Sequence, residues 1–130
     1  MSVPPLTRIL YVEDEPDIQV VARLALETVG GFTLEVCSSG NEALAKATDF
    51  DPQLILMDVM MPGMDGPTVL QALRKLNGLA NTPAIFMTAK VLPEEIEQLK
   101  DAGAIEVIAK PFDPMTLSDT IRDIWASHQG

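Results

Sequence analysis

Five short apolar runs, separated by stretches of helical period, constrain the fold of this 130-residue chain more than any other feature of its sequence. The runs are Ile9-Leu10-Tyr11-Val12, Thr33-Leu34-Glu35-Val36-Cys37, Leu54-Ile55-Leu56-Met57, Ala84-Ile85-Phe86-Met87 and Val107-Ile108-Ala109. Several are apolar at every position, as a strand buried on both faces must be. Between them, Ile18, Val21, Ala22, Ala25, Leu26 and Val29 recur at i, i+3, i+4 and i+7, which predicts one continuous inward stripe between Pro16 and Gly30-Gly31. Ser39-Gly40-Asn41-Glu42 has capping-box spacing ahead of Ala43, Leu44 and Ala47. Val69, Leu70, Leu73 and Leu76 form the next stripe, closed by Gly78. A fourth helix opens at Pro93, carries Ile96 and Leu99 and stops at Gly103. Asp113-Pro114 opens the last, with Leu117, Ile121, Ile124 and Trp125 inward.

The order is β-α repeated five times, with no composition break that would mark a linker. Right-handed crossovers turn such a chain into an α/β fold, an open parallel sheet with helices on both faces. Sites in these sheets form beyond the carboxyl ends of the strands, at the switch in strand order. The residues there are Glu13-Asp14-Glu15 after the first strand, Asp58 after the third, Thr88 after the fourth and Lys110-Pro111 after the fifth. If the first and third strands are neighbours, Glu13, Asp14 and Asp58 meet. Carboxylates that close raise one another's pKa unless a cation sits among them. Oxygen ligands alone suit a hard ion such as Mg²⁺, and no histidine or second cysteine is at hand for zinc. Mg²⁺ with open positions accompanies phosphoryl transfer. Asp58 then suits a nucleophile, Lys110 a neutraliser of phosphoryl oxygens and Thr88 a hydroxyl donor to one of them.

Each residue also has a plainer reading. Glu13-Asp14 could cap the first helix, Lys110 could be a surface lysine, and threonines at strand ends are common. Met57 and Met87 read as core filler, and Met60, Met61 and Met64 around the acceptor loop more readily as packing than as a soft-metal site. Cys37 reads as a small buried hydrophobe, and His128 lies in the tail, where it has no phosphotransfer role.

The motifs Ile9-Leu10-Tyr11-Val12-Glu13-Asp14-Glu15, Met57-Asp58 through Pro62-Gly63-Met64-Asp65-Gly66, Met87-Thr88-Ala89 and Ala109-Lys110-Pro111-Phe112 closely resemble those of the response-regulator receiver domain of two-component signalling. The resemblance runs from Arg8 to about Ser127, with 1–7 as an N-terminal extension, 8–127 as the receiver and 128–130 as a C-terminal tail. It implies five strands in the flavodoxin-like order 2-1-3-4-5. It also implies that Asp58 is the phosphoacceptor and that Glu13, Asp14, Asp58 and the Met60 backbone carbonyl hold Mg²⁺. Thr88 matches the switch hydroxyl and Lys110 the family lysine, whose bond to Pro111 is often cis in relatives. In the family the residues two beyond the acceptor and two beyond the threonine flank the attacking-water path, which implies that Met60 and Lys90 tune the phosphoryl lifetime here. The implied phosphodonor is a sensor histidine kinase or histidine phosphotransfer protein, which in relatives docks on the first helix; here its outward face carries Val20 and Leu24. The resemblance further implies a domain that assists its own phosphorylation and dephosphorylation, with no turnover of an external substrate expected.

One position departs from the family pattern. Val107 stands three residues before the lysine, where receivers commonly carry Tyr or Phe. A valine has no ring to swing, so an outward signal must travel by another route. That departure keeps a second reading open, a receiver-like scaffold that signals without phosphate through protein contacts. A third is a small Mg²⁺-dependent phosphohydrolase. The chain is either a stand-alone receiver or the front end of a longer response regulator.

Nineteen acidic against nine basic side chains give a net charge of −10, which disfavours direct contact with nucleic acid or a membrane surface. Glu94, Glu95, Glu97 and Asp101 make the fourth helix acidic, so a downstream protein target would be basic. A lone cysteine and the lack of a membrane-length apolar run fit a cytoplasmic setting.

Overall fold

A computed structural model describes residues 4–129. Five parallel strands alternate with five helices: β1 (Arg8–Val12), α1 (Pro16–Arg23), β2 (Thr33–Cys37), α2 (Gly40–Phe50), β3 (Leu54–Asp58), α3 (Gly66–Arg74), β4 (Ala84–Thr88), α4 (Pro93–Asp101), β5 (Glu106–Ala109) and α5 (Leu117–Gln129). The strand order is β2-β1-β3-β4-β5, as expected, and every pairing is parallel. All five residues of β3 and of β4 are buried, which explains why these runs do not alternate.

Two apolar layers sandwich the sheet. Ile9, Tyr11, Leu56, Ile85 and Met87 pack with Ala22 of α1, Leu26 just beyond it, and Ile121 and Trp125 of α5. On the other face Leu10, Val12, Ile55, Met57 and Phe86 pack with Ala43, Val69, Leu73 and Leu99 from α2, α3 and α4. Cys37 is buried there, and burial chiefly pushes its thiol up to about 12. Ser39 caps α2 by accepting the Glu42 N–H at 3.1 Å, as the capping-box spacing predicts.

The helix ends differ from expectation in four places. The inward stripe of α1 is not continuous, because Val21 and Val29 are exposed. α1 passes into a π-helical stretch (Leu24–Val29), and turns that close one residue later rotate the succeeding side chains around the helix axis. This carries Val29 to solvent, while Val21 lines a cleft together with Pro111 and Phe112. α3 ends at Arg74, so Leu76 lies beyond it; the Arg74 guanidinium reaches the carbonyls of Leu79 and Thr82 and ties down the next loop. Asp113 opens a turn before α5 and not the helix itself, its carbonyl accepting the N–H groups of Thr116 and Leu117. α5 in turn runs through Ser127 and His128 to Gln129, past the expected tail boundary.

Residues 4–7 are pinned to the domain. Leu6 is buried, the Pro4 carbonyl accepts the Trp125 indole N–H at 2.8 Å, and the Thr7 N–H donates to Gln53 Oε1 at 2.8 Å. Among the described residues no helix is long and apolar enough to cross a membrane.

Candidate functional site

Strand register brings the charged residues together. Val12 lies beside Met57, so Glu13 and Asp58, one residue further on, emerge at the same level of adjacent strands. Thr88 pairs with Ala109, which sets Lys110 immediately beyond it. Backbone bonds extend the sheet past its last paired residues: Glu13 N–H to Cys37 carbonyl at 3.0 Å, Val59 N–H to Met87 carbonyl at 3.1 Å and Lys110 N–H to Thr88 carbonyl at 2.9 Å. The Lys110–Pro111 peptide is cis.

Glu13, Asp14 and Asp58 each offer a carboxylate oxygen within 4.8 Å of the others. Glu13 and Asp58 are buried and Asp14 half-buried. Glu13 and Asp14 do not cap α1, whose N-cap is Glu15 and has no side-chain bond to the helix. The Lys110 ammonium sits between the two buried acids, 3.0 Å from Glu13 Oε1 and 3.4 Å from Asp58 Oδ1. Burial pushes the Glu13 carboxyl above its ordinary pKa, against the pull of the Lys110 hydrogen bond. For Lys110, burial works against the charged form, but the hydrogen bond to Glu13 and the charge of Asp58 outweigh it and raise its pKa. Each group of the pair thus shifts the other's titration.

Thr88 is buried at the tip of β4, where its hydroxyl accepts the Lys90 N–H at 3.1 Å. A cleft of about 200 Å³ joins Asp58, Met60, Thr88, Lys90 and Lys110. The candidate residues therefore meet at one place, the carboxyl edge of the sheet. All-oxygen donors with a buried anionic pair fit a hard divalent cation, and Met60 lines the same cleft.

A family model described as the response regulator receiver domain matches residues 9–122. The chain belongs to the response-regulator receiver family. It is 31% identical over 121 residues to response regulator Rre1 of Synechocystis, covering 93% of this receiver and 52% of that relative. It spans about half the length of the curated relatives it matches. Among solved structures, chemotaxis response regulator CheY4 of Vibrio cholerae superposes with a TM-score of 0.84 at 32% identity, over 92% of this receiver and 99% of that chain. The receiver domain of sensor histidine kinase PA1611 from Pseudomonas aeruginosa, solved with a magnesium ion coordinated in its active-site cleft, matches at TM-score 0.80 and 29% identity, over 95% and 99%.

Sequence reasoning missed three contributors to the receiver's site. Gln19 holds the loop after β1, its amide donating to the Glu13 carbonyl and, at 3.1 Å, to Ser38 Oγ. The hydroxyl of Tyr11, two residues before Glu13 on β1, is buried without a hydrogen-bond partner, which its apolar run did not betray. Gly66, at the start of α3, is pressed against the strand that carries Asp58. A Cβ there would lie 2.7 Å from the Asp58 carbonyl oxygen, 3.0 Å from the Phe86 ring and 3.1 Å from Val59 Cα. In Asp65-Gly66-Pro67 the glycine reads as a turn residue, and only the fold shows the close approach.

Exposed helical glycines gain ~0.5–1 kcal/mol on replacement by alanine. Gly66→Ala is expected to do the opposite and cost about 1–3 kcal/mol, because backbone atoms cannot yield to the new methyl. Urea unfolding of the two proteins checks this; a variant as stable as the parent would contradict the packing described.

Proposed function

We propose that this receiver accepts a phosphoryl group on Asp58 from a phosphohistidine of a sensor kinase or phosphotransfer protein and relays the resulting state through protein contacts. The observation that carries the reading is the convergence of Glu13, Asp14 and Asp58 with Lys110 and Thr88 at one sheet edge. In this reaction an Asp58 carboxylate oxygen attacks phosphorus, the bond to the donor nitrogen breaks and the imidazole leaves. The product is an acyl phosphate. Glu13, Asp14, Asp58 and the Met60 carbonyl would hold Mg²⁺, which supplies charge neutralisation to the phosphoryl oxygens. The Lys110 ammonium, already beside the acceptor oxygen, is placed to neutralise a further oxygen, and the Thr88 hydroxyl to donate to one. Met60 and Lys90 flank the cleft through which hydrolytic water would approach. The cytoplasm, where such donors present their phosphohistidines, is the setting this chemistry requires.

Incubation with acetyl phosphate tests the reading without any partner. A Mg²⁺-dependent mass gain of one phosphoryl group is expected. A folded, Mg²⁺-binding protein that gains none would instead be a phosphate-independent scaffold.

The donor is proposed to dock on α1. Val20 and Leu24 are 67% and 54% exposed, next to a cleft of about 280 Å³ formed by Ile18, Val21, Pro111 and Phe112. This apolar strip borders the acceptor edge, where a helical donor could present its histidine to Asp58. A Val20→Glu, Leu24→Glu double variant should keep its fold and its acetyl phosphate reaction, yet lose at least about tenfold in transfer from a cognate kinase, as contact residues do. Unchanged transfer would exclude this surface.

A further inference from the structure

The three carboxylates that converge at the sheet edge are held in different ways. Asp58 is the last residue of β3 and is fixed by strands on both sides. Glu13 is buried, with its carboxylate bonded to Lys110 Nζ at 3.0 Å and to the Glu15 N–H at 3.2 Å. Asp14 lies one residue further along, in the loop between β1 and α1. Among the described residues its carboxylate has no hydrogen-bond or ion-pair partner. Where that carboxylate points therefore depends on the backbone that carries it, and first on the peptide joining Glu13 to Asp14. Rotation of this planar unit re-aims the Asp14 Cα–Cβ bond.

One side chain holds that peptide. The Glu13 N–H still has a strand partner, the Cys37 carbonyl at 3.0 Å, but β2 ends at Cys37 and the ladder gives the Glu13 carbonyl no donor. Gln19, half-buried in the first turn of α1, supplies one. Its amide donates to the Glu13 carbonyl and, at 3.1 Å, to Oγ of Ser38, the first residue past β2. A carbonyl only accepts, so the NH2 end of the amide must face it. The side chain thus ties the first turn of α1 to the loops that leave two adjacent strands.

We propose that Gln19 is a positioning residue for the cation: by fixing the Glu13–Asp14 peptide it presets the Asp14 carboxylate towards Glu13 and Asp58, so that Mg²⁺ meets oxygens already converged. This rests on the reading of Glu13, Asp14 and Asp58 as ligands of Mg²⁺. The effect falls on cation affinity and not on phosphoryl transfer itself, because neither Asp58, Thr88 nor Lys110 is among the hydrogen-bond partners of Gln19.

Gln19→Met keeps the length and helix propensity of the side chain and removes both N–H groups. The whole protein, parent beside variant, is titrated with Mg²⁺ alone by isothermal calorimetry, and urea unfolding is run in chelator. The Mg²⁺ Kd should rise about tenfold or more, as when an outer partner of a metal ligand is lost, while the urea midpoint stays at the parent's. Uptake from acetyl phosphate should show the same split. Its half-saturation in Mg²⁺ moves up by that factor, and its limiting rate at saturating Mg²⁺ equals the parent's. An unchanged Kd overturns the proposal whatever the urea midpoint does, since a mere prop of the fold would move stability and not affinity. A rate that stays low at saturating Mg²⁺ overturns it as well. A parent that binds no Mg²⁺ removes the metal reading and this inference together. Mg²⁺ binding that depends on Gln19, in a protein that takes up no phosphoryl group, upholds the inference and removes only the acceptor reading.

Discussion

Asp58→Asn is expected to fold, to keep the Glu13–Lys110 pair and to take up no phosphoryl group from acetyl phosphate at any Mg²⁺ concentration. Asp58 ends a β3 whose five residues are all buried, so its backbone is fixed by neighbours on both sides. The amide has nearly the shape of the carboxylate, and the site is close to solvent at the cleft, so packing changes little. Chemistry changes completely, since an amide oxygen has neither the charge nor the nucleophilicity to form an acyl phosphate. One of three carboxylates facing the proposed Mg²⁺ site is also lost, so cation affinity should fall. Intact mass after incubation reads the first effect and a Mg²⁺ titration the second. Uptake equal to the parent's would mean that another side chain is the acceptor.

Lys110→Met should change two properties together. The ammonium lies between two acids, and its side chain is only 16% exposed against 1% for Glu13 and 8% for Asp58. Breaking a buried ion pair from one side costs ~3–5 kcal/mol, because the remaining charge has no partner. Here the partly solvated cleft reduces this, and about 2–3 kcal/mol is expected in the presence of a chelator. Mg²⁺ can restore the missing positive charge, so millimolar Mg²⁺ should recover part of the loss. Phosphoryl uptake should remain slow even then, by on the order of 10²–10³, because the ammonium acts on charge that develops during transfer. Urea unfolding with chelator and with Mg²⁺, beside the uptake rate, separates these effects. A stability loss indifferent to Mg²⁺, or an unchanged rate, would contradict the assignment.

The sheet and its edge were legible because they arise from short-range rules. Runs such as Leu54-Ile55-Leu56-Met57 are apolar at every position since both faces of β3 are covered. The β-α alternation then leaves little choice of architecture, and the residues that end the strands are the residues of the site. Legibility failed where long-range packing decides. The end of α1 depends on the π-helical stretch and on Ser118 of α5, whose hydroxyl donates to the Ala25 carbonyl at 2.6 Å; the 3.6-residue pattern of Val21 and Val29 carries no trace of it. α3 stops at Arg74, whose side chain bonds carbonyls of the following loop, whereas the apolar pattern continues to Leu76. Gly66 and Tyr11 lie inside ordinary-looking motifs, and their significance is a distance and an unpaired atom. Val107, by contrast, was visible as a departure; it is half-buried and packs into the α2–α3–α4 layer as an aliphatic side chain.

The central claim is that the Asp58 carboxylate is the group that carries the phosphoryl. Borohydride reduction of the phosphorylated protein converts an acyl phosphate to an alcohol, and peptide sequencing by mass spectrometry then locates it. A homoserine at position 58 is expected, with Glu13 and Asp14 unreduced. A reduced residue at either of those two positions, or a phosphorylated protein with no reducible carboxyl at 58, would contradict the claim.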